Sequence, residues 1–210
     1  MNKLIAVVGM AGSGKSIATD YLKENGWTKI YFGGAVYDRM RKEGIEITPE
    51  SQKEYRENLR KQYGMGAVAE ILKFDIENAY KENNTVLDGL YSWDEYLILK
   101  EKFPHLKLIC VCCDKDIRYE RIANRIDRPF NHDEIIRRDL TEIENLAKGG
   151  PIAYADYYIF NNGNLDDYEK RKMKLIWRGE GEITAIFYTC FEDESDCKVV
   201  FSANDLGQEI

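Results

Sequence analysis

The sequence predicts an α/β fold on a mostly parallel sheet, and three observations predict it. The apolar run Leu4-Ile5-Ala6-Val7-Val8 passes directly into Gly9-Met10-Ala11-Gly12-Ser13-Gly14-Lys15-Ser16 and then into a helix-like segment. Further along, short β-type runs alternate with longer segments of helical periodicity, the pattern of strand–helix–strand crossovers. The content is 44% hydrophobic and 32% charged over 210 residues, enough for one domain with a substantial core and a wet surface.

Each element has its own signal. The first strand spans 3–8 and the helix behind the glycine-rich segment spans 15–25. A short strand over 29–32 ends at Gly33-Gly34. Helices follow over 35–42, 49–62 and 67–81, with Thr48 as N-cap and Pro49 in a first turn, where its missing N–H costs nothing. The third strand, 85–87, closes on Asp88-Gly89. A helix over 93–102, a strand over 106–112 and a helix over 115–124 come next. A polar segment over 125–131 precedes a helix over 132–146, and Gly149-Gly150-Pro151 breaks the chain. The fifth strand spans 157–160 and a last helix 165–176. Beyond it, runs over 182–191 and 197–202 read as a β-hairpin with its turn at 192–196. There is no internal repeat and no low-complexity tract.

The net charge of −7 argues against broad contact with nucleic acid or an acidic membrane, since both need a basic face. No apolar run approaches the ~20 residues of a membrane span. The amino terminus lacks the apolar core of a secretion signal, so a cytoplasmic location is expected. Five cysteines, Cys110, Cys112, Cys113, Cys190 and Cys197, are an odd number without a second pair at zinc spacing. They read as structural thiols. His105 and His132 stand alone, and no Ser-His-Asp or Cys-His arrangement is visible.

Gly9 to Ser16 reads G-x-x-x-x-G-K-S, the phosphate-binding P-loop, in the strand–loop–helix setting that gives the motif physical meaning. Glycines let the backbone curl so that N–H groups converge on a phosphate, and the helix N-terminus adds partial positive charge there. Lys15 reaches the β- and γ-phosphates, and the Ser16 hydroxyl suits Mg²⁺. Gly9, Met10, Ala11, Gly12, Ser13, Gly14, Lys15 and Ser16 are therefore expected to bind ATP. Asp88, at the end of the third strand, is the best-placed acid to hold Mg²⁺ with Ser16. Arginines cluster after the fourth strand: Arg118, Arg121, Arg125 and Arg128, then Arg137 and Arg138. Arg118, Arg121 and Arg125 share one helix face. Guanidinium groups that close over a reacting phosphoryl group stabilise its charge and exclude water, so this segment reads as a lid. Arg125 and Arg128 are expected at the transferring phosphate with Lys15 and Asp88, and Arg121 at the nucleotide. Tyr31, Tyr37, Tyr91 and Trp93, near strand ends, suit stacking on a base.

With these residues in order, the chain resembles the nucleoside monophosphate kinase and dephospho-CoA kinase group of P-loop kinases, and within it an adenylate-kinase-like, largely archaeal branch. The resemblance covers about residues 3–176. It rests on Gly9 to Ser16, Arg41-Lys42-Glu43-Gly44 with Thr48-Pro49-Glu50, Tyr63-Gly64-Met65-Gly66-Ala67-Val68-Ala69, Val86-Leu87-Asp88-Gly89, Arg118 to Arg128, and Ala155-Asp156-Tyr157-Tyr158-Ile159 with Asn161-Asn162-Gly163. It implies a three-layer α/β/α P-loop NTPase fold with a five-stranded parallel sheet. It implies a kinase domain over 1–177, with an acceptor-binding helical region over 35–82 and a lid over 125–150, followed by the hairpin extension over 178–210. ATP as donor, Mg²⁺ as cofactor and a small-molecule acceptor follow from the same resemblance.

Relatives tend to carry Gly-Asp and then an arginine after the second strand, where this chain reads Gly33-Gly34-Ala35-Val36-Tyr37-Asp38-Arg39. They often carry an arginine two residues past the Gly of the third strand, where this chain has Tyr91. A tyrosine carries no charge and cannot replace a bidentate guanidinium. Gly34, Tyr37, Asp38, Arg39 and Tyr91 are the expected acceptor contacts. Three readings stay open: a kinase for a nucleotide or nucleotide-like acceptor, a dephospho-CoA kinase with Asp38 or Asp88 as base, and a nucleotide-binding regulator that engages a protein through the hairpin.

Overall fold

The computed structural model describes residues 2–126 and 129–163 and, within 164–210, four short strands. It divides into two compact units, Met1–Asn161 and Asn162–Ile210. That division falls earlier than the expected one at 177.

The first unit is a five-stranded parallel sheet. Its strands are β1 (Leu4–Val8), β2 (Thr28–Tyr31), β3 (Thr85–Asp88), β4 (Lys107–Cys112) and β5 (Tyr157–Phe160), in the order β2-β3-β1-β4-β5. The helices are α1 (Lys15–Glu24), α2 (Phe32–Lys42), α3 (Pro49–Tyr63), α4 (Ala67–Glu82), α5 (Trp93–Lys102), α6 (Lys115–Ala123), α7 (His132–Glu144) and α8 (Gly149–Ala153). β1 is buried along its whole length, as a central strand covered on both faces must be. The main core joins Leu4, Ala6 and Val8 to Phe32, Met40, Leu72, Ile76, Leu87, Leu99 and Leu108.

Register places the chemistry. Val7 of β1 pairs with Asp88 of β3, and Val8 with Cys110 of β4. The glycine-rich loop therefore leaves the sheet beside the carboxyl end of β3, where parallel α/β sheets bind ligands. Helix starts are capped as their side chains dictate. Thr48, Ser92 and Asn131 each accept from the N–H three residues on, and each forms a reciprocal capping box.

Two expectations are corrected. Gly149-Gly150-Pro151 does not simply break the chain: it forms the short helix α8, in whose first turn Pro151 forfeits no hydrogen bond. Of the helix expected over 165–176, residues 165–173 lie outside the described residues, and 174–176 belong instead to β6 (Lys174–Arg178), antiparallel to β7 (Glu182–Ile186). Leu175-Ile176-Trp177 is β-favouring, which suits a strand. In the same second unit β8 (Tyr188–Thr189) pairs with β9 (Lys198–Val199); the turn expected at 192–196 lies outside the described residues. Cys110, Cys112 and Cys113 are free thiols; Cys190 and Cys197 lie outside the described residues. Among the described residues no helix is long and apolar enough to cross a membrane.

Candidate functional site

The P-loop is built and braced by named contacts. Gly9, Gly12 and Gly14 all take positive φ, 140°, 80° and 99°, which L side chains rarely adopt. At Gly9 a Cβ would also collide with the Val111 carbonyl oxygen, and at Gly12 it would lie 2.7 Å from that of Arg118. The loop's outward-turned carbonyls are capped: Asn161 Nδ2 donates to Ser13 at 2.9 Å and Arg118 Nη1 to Ala11 at 2.9 Å. The Lys15 ammonium donates to the Met10 carbonyl at 2.9 Å. Ser13 Oγ is buried without a hydrogen-bond partner among the described residues.

Arg118 corrects the sequence reading. It shares a helix with Arg121 and Arg125, but it is 6% exposed and bound by both guanidinium nitrogens to Asp139 of α7, at 3.1 and 2.7 Å. It is a strut between α6, α7 and the P-loop rather than part of a lid. Arg121 stays at the end of β4, with Nη1 3.2 Å from Cys113 Sγ. Arg125 is exposed; its pKa is lowered by partial burial and by the like charge of Arg138. Arg128 lies outside the described residues.

Burial, and after it the neighbouring charge of Lys148, drive the Lys15 pKa down to about 7 against the pull of Glu142 and Asp88. Arg138 adds a smaller push in the same direction. An anionic phosphate in the loop reverses this balance and restores the ammonium. ATP binding at pH 8 should therefore take up close to one proton, and at pH 6 almost none. Affinity should fall as pH rises through about 7. Calorimetric titrations in buffers of different ionisation enthalpy read the uptake, and its persistence in Lys15→Met would refute this assignment.

Asp88 is buried at the end of β3, as its place in the sequence required. Its Oδ2 accepts from Thr19 at 3.1 Å and pairs with Lys29 of β2 at 2.8 Å. Burial opposes the Lys29 charge, but its hydrogen bonds to Asp20 and Asp88 outweigh burial and raise its pKa. Ser16, one turn before Thr19, is exposed. A hydroxyl and a carboxylate are hard oxygen donors that suit Mg²⁺, and Thr19 and Lys29 both engage Asp88 through Oδ2, so the donor set fits such an ion.

The acceptor side departs most from expectation. An open cleft of ≈ 610 Å³ is lined by α2, α3 and α7 residues. Tyr37 and Tyr91 line it, joined by Tyr31. Gly34, Asp38 and Arg39 are not among its lining residues, and Asp38 pairs with Arg41 at 2.7 Å on an exposed helix face. The positive charge comes instead from Lys53, Arg56, Arg60, Arg137 and Arg138, facing the carboxylates Glu57, Glu134 and Glu142. Arg60 Nε is buried without a partner among the described residues, and burial lowers its pKa. Arg56 and Arg60 stand one helical turn apart, a spacing legible in the sequence. Burial also raises the Tyr91 hydroxyl above its ordinary pKa, so it stays neutral.

The cleft meets the P-loop at Glu142, whose Oε2 accepts the Ala11 N–H at 3.3 Å and the Lys148 ammonium at 2.6 Å. Its Oε1 accepts from Arg138 at 3.4 Å. The sequence carries no signal for Glu142 or Lys148. His132, expected at the surface, is exposed with its ring edge-on to Tyr119.

Known proteins agree with this architecture. The chain is 34% identical over 182 residues to a UPF0200 protein of Hyperthermus butylicus, covering 85% of this chain and 96% of the relative. It is 30% identical over 178 residues to a UPF0200 protein of Thermococcus gammatolerans, covering 82% and 93%. Among solved structures, TT1252 from Thermus thermophilus superposes with a TM-score of 0.53 at 17% identity, covering 80% of this chain and 93% of that one. Shikimate kinase from Bacteroides thetaiotaomicron does so with 0.50 at 15% identity, covering 79% and 89%. These two likenesses speak for the fold. The family model for the AAA domain matches residues 5–142, a span that holds the P-loop, Asp88 and Glu142, and the chain belongs to that family.

Proposed function

We propose that the protein is an ATP-dependent phosphotransferase whose acceptor is a nucleotide or nucleotide-like molecule that already carries a phosphate. One observation carries the acceptor class: four arginines, Arg56, Arg60, Arg137 and Arg138, line a cleft that also holds Glu142, the residue that accepts the P-loop N–H of Ala11. Guanidinium groups match phosphate geometry and keep their charge when desolvated. The tyrosines Tyr31, Tyr37 and Tyr91 offer faces and edges for a base.

In this reading the backbone N–H groups from Gly12 to Ser16 cradle the β-phosphate, and Lys15 neutralises charge at the γ-phosphate. Ser16 and Asp88 would hold Mg²⁺, which when bound would supply further neutralisation of the phosphate charge. An acceptor phosphate oxygen attacks, the bond to the ADP oxygen breaks, and the new P–O bond forms without loss of a proton. Arg125 and Arg128 close over the transferred group and keep water out. A hydroxyl acceptor is less well served, because it needs a base. Asp38 faces away, paired with Arg41, and Asp88 Oδ2 is held by Lys29 and Thr19.

The test is incubation with Mg-ATP and panels of nucleoside monophosphates, nucleosides and dephospho-CoA, following ADP and the phosphorylated product. Turnover with a monophosphate is expected, and ADP formed only with dephospho-CoA or a nucleoside would overturn the reading. Arg56→Ala and Arg60→Ala should each weaken the acceptor by about tenfold and leave the KM for ATP unchanged. An equal loss for both substrates would remove these residues from the acceptor site.

A further inference from the structure

Lys148 is a lysine whose residue is only 1% exposed, a rare placement that needs compensation. Its ammonium is bound to Glu142 Oε2 at 2.6 Å and lies 4.9 Å from the centre of the Tyr91 ring. The same carboxylate oxygen accepts the Ala11 N–H, so an anionic oxygen of the protein sits on the phosphate-binding loop itself. Lys15 feels both groups, Lys148 against its charge and Glu142 for it. The turn that delivers Lys148 is strained: Ala147 has φ 49°, the one positive-φ residue other than glycine among the described residues. Strain of this kind persists where the surroundings hold a side chain in place. A buried ion pair made only for stability is readily replaced by apolar packing and has no reason to rest on a P-loop N–H.

We infer that Glu142 is a stand-in for a γ-phosphate oxygen and that Lys148 is a second γ-phosphate-binding lysine. In the free protein the carboxylate satisfies the Ala11 N–H and Lys148. When ATP binds, the γ-phosphate displaces the carboxylate and takes over both donors, with Arg138 as the group to which Glu142 remains attached. ADP, which lacks the γ-phosphate, leaves the pair closed. Lys148 is thus a sensor that separates ATP from ADP at the donor site. This rests on ATP as the P-loop ligand.

Calorimetric Kd values for Mg-ATP and ADP are compared in the unaltered protein, Lys148→Met, Glu142→Gln and the Glu142→Gln/Lys148→Met double variant. Lys148→Met should weaken ATP by about tenfold or more while changing ADP by less than about threefold. Glu142→Gln, isosteric but uncharged, should tighten ATP, because a competing anion is gone. The double variant removes both charges together and guards against a misfolded single variant; it should bind ADP normally and bind ATP about tenfold or more weaker than Glu142→Gln alone. Equal weakening of both nucleotides by Lys148→Met, weaker ATP binding by Glu142→Gln, or a double variant that binds ATP as tightly as Glu142→Gln would each overturn the inference. If the unaltered protein binds neither nucleotide, the proposed function falls with it; if it binds ATP and the double variant does so as tightly as Glu142→Gln, only the sensor fails.

Discussion

Replacing Lys15 with Met is expected to cut phosphoryl transfer by about 10²–10³-fold without loss of fold stability. The two halves of this expectation come from the same environment. Lys15 is buried, donates to the Met10 carbonyl and is crowded by Lys148, so without phosphate its charged form is disfavoured and its pKa falls to about 7. In the transfer reaction its charge is opposed to developing negative charge in a site sheltered from water, where it is worth most. The pH dependence has a definite sign. The unfolded chain holds the lysine proton up to 10.5, whereas the folded chain releases it near 7. Over that interval the unfolded state binds more protons, so this group's contribution to stability rises with pH. Lys15→Met should therefore match or exceed the parent in thermal melts at pH 6 and narrow that gap at pH 9. Undiminished transfer, or a variant unfolded at every pH, would contradict the assignment.

Arg118→Ala should destabilise the domain by about 3–5 kcal/mol. The substitution strands the Asp139 carboxylate in the interior and takes the donor from the Ala11 carbonyl of the P-loop. Urea unfolding measures the cost, and nucleotide titration should show weaker binding in the fraction that stays folded. Arg118→Met/Asp139→Leu removes both charges and replaces them with apolar volume, so it should recover most of the stability but not the brace on Ala11. A single variant within about 1 kcal/mol of the parent would mean that solvent screens the pair, as at a surface.

The elements of the first unit were legible because their signals are local. Thr48, Ser92 and Asn131 stand three residues before the groups they cap, and the all-apolar β1 announces a central strand. Lys174–Arg178 was misread because a short β-favouring run beside a charged segment also fits a helix end; its pairing with Glu182–Ile186 decides the matter. In the site, Gly9 to Ser16 and Asp88 were legible for the same local reason: a loop motif and a strand end need only their neighbours. The acceptor side was not. Asp38 and Arg39 follow the second strand closely in sequence, yet the turn of α2 carries Asp38 to its exposed face with Arg41. Arg118, spaced like a lid arginine, is drawn inward by Asp139, 21 residues further on.

The sequence by itself determined the parallel α/β fold, the P-loop and the carboxylate beside it. All three are written in periodicity, turn chemistry and residues adjacent along the chain. Only the tertiary structure decided which charges face which. Glu142 reaches the Ala11 N–H across 131 residues, and Asn161 reaches the Ser13 carbonyl across 148. Such pairings depend on how α7 and β5 pack around the loop, and the electrostatic character of a buried lysine or arginine depends on the partner that packing supplies.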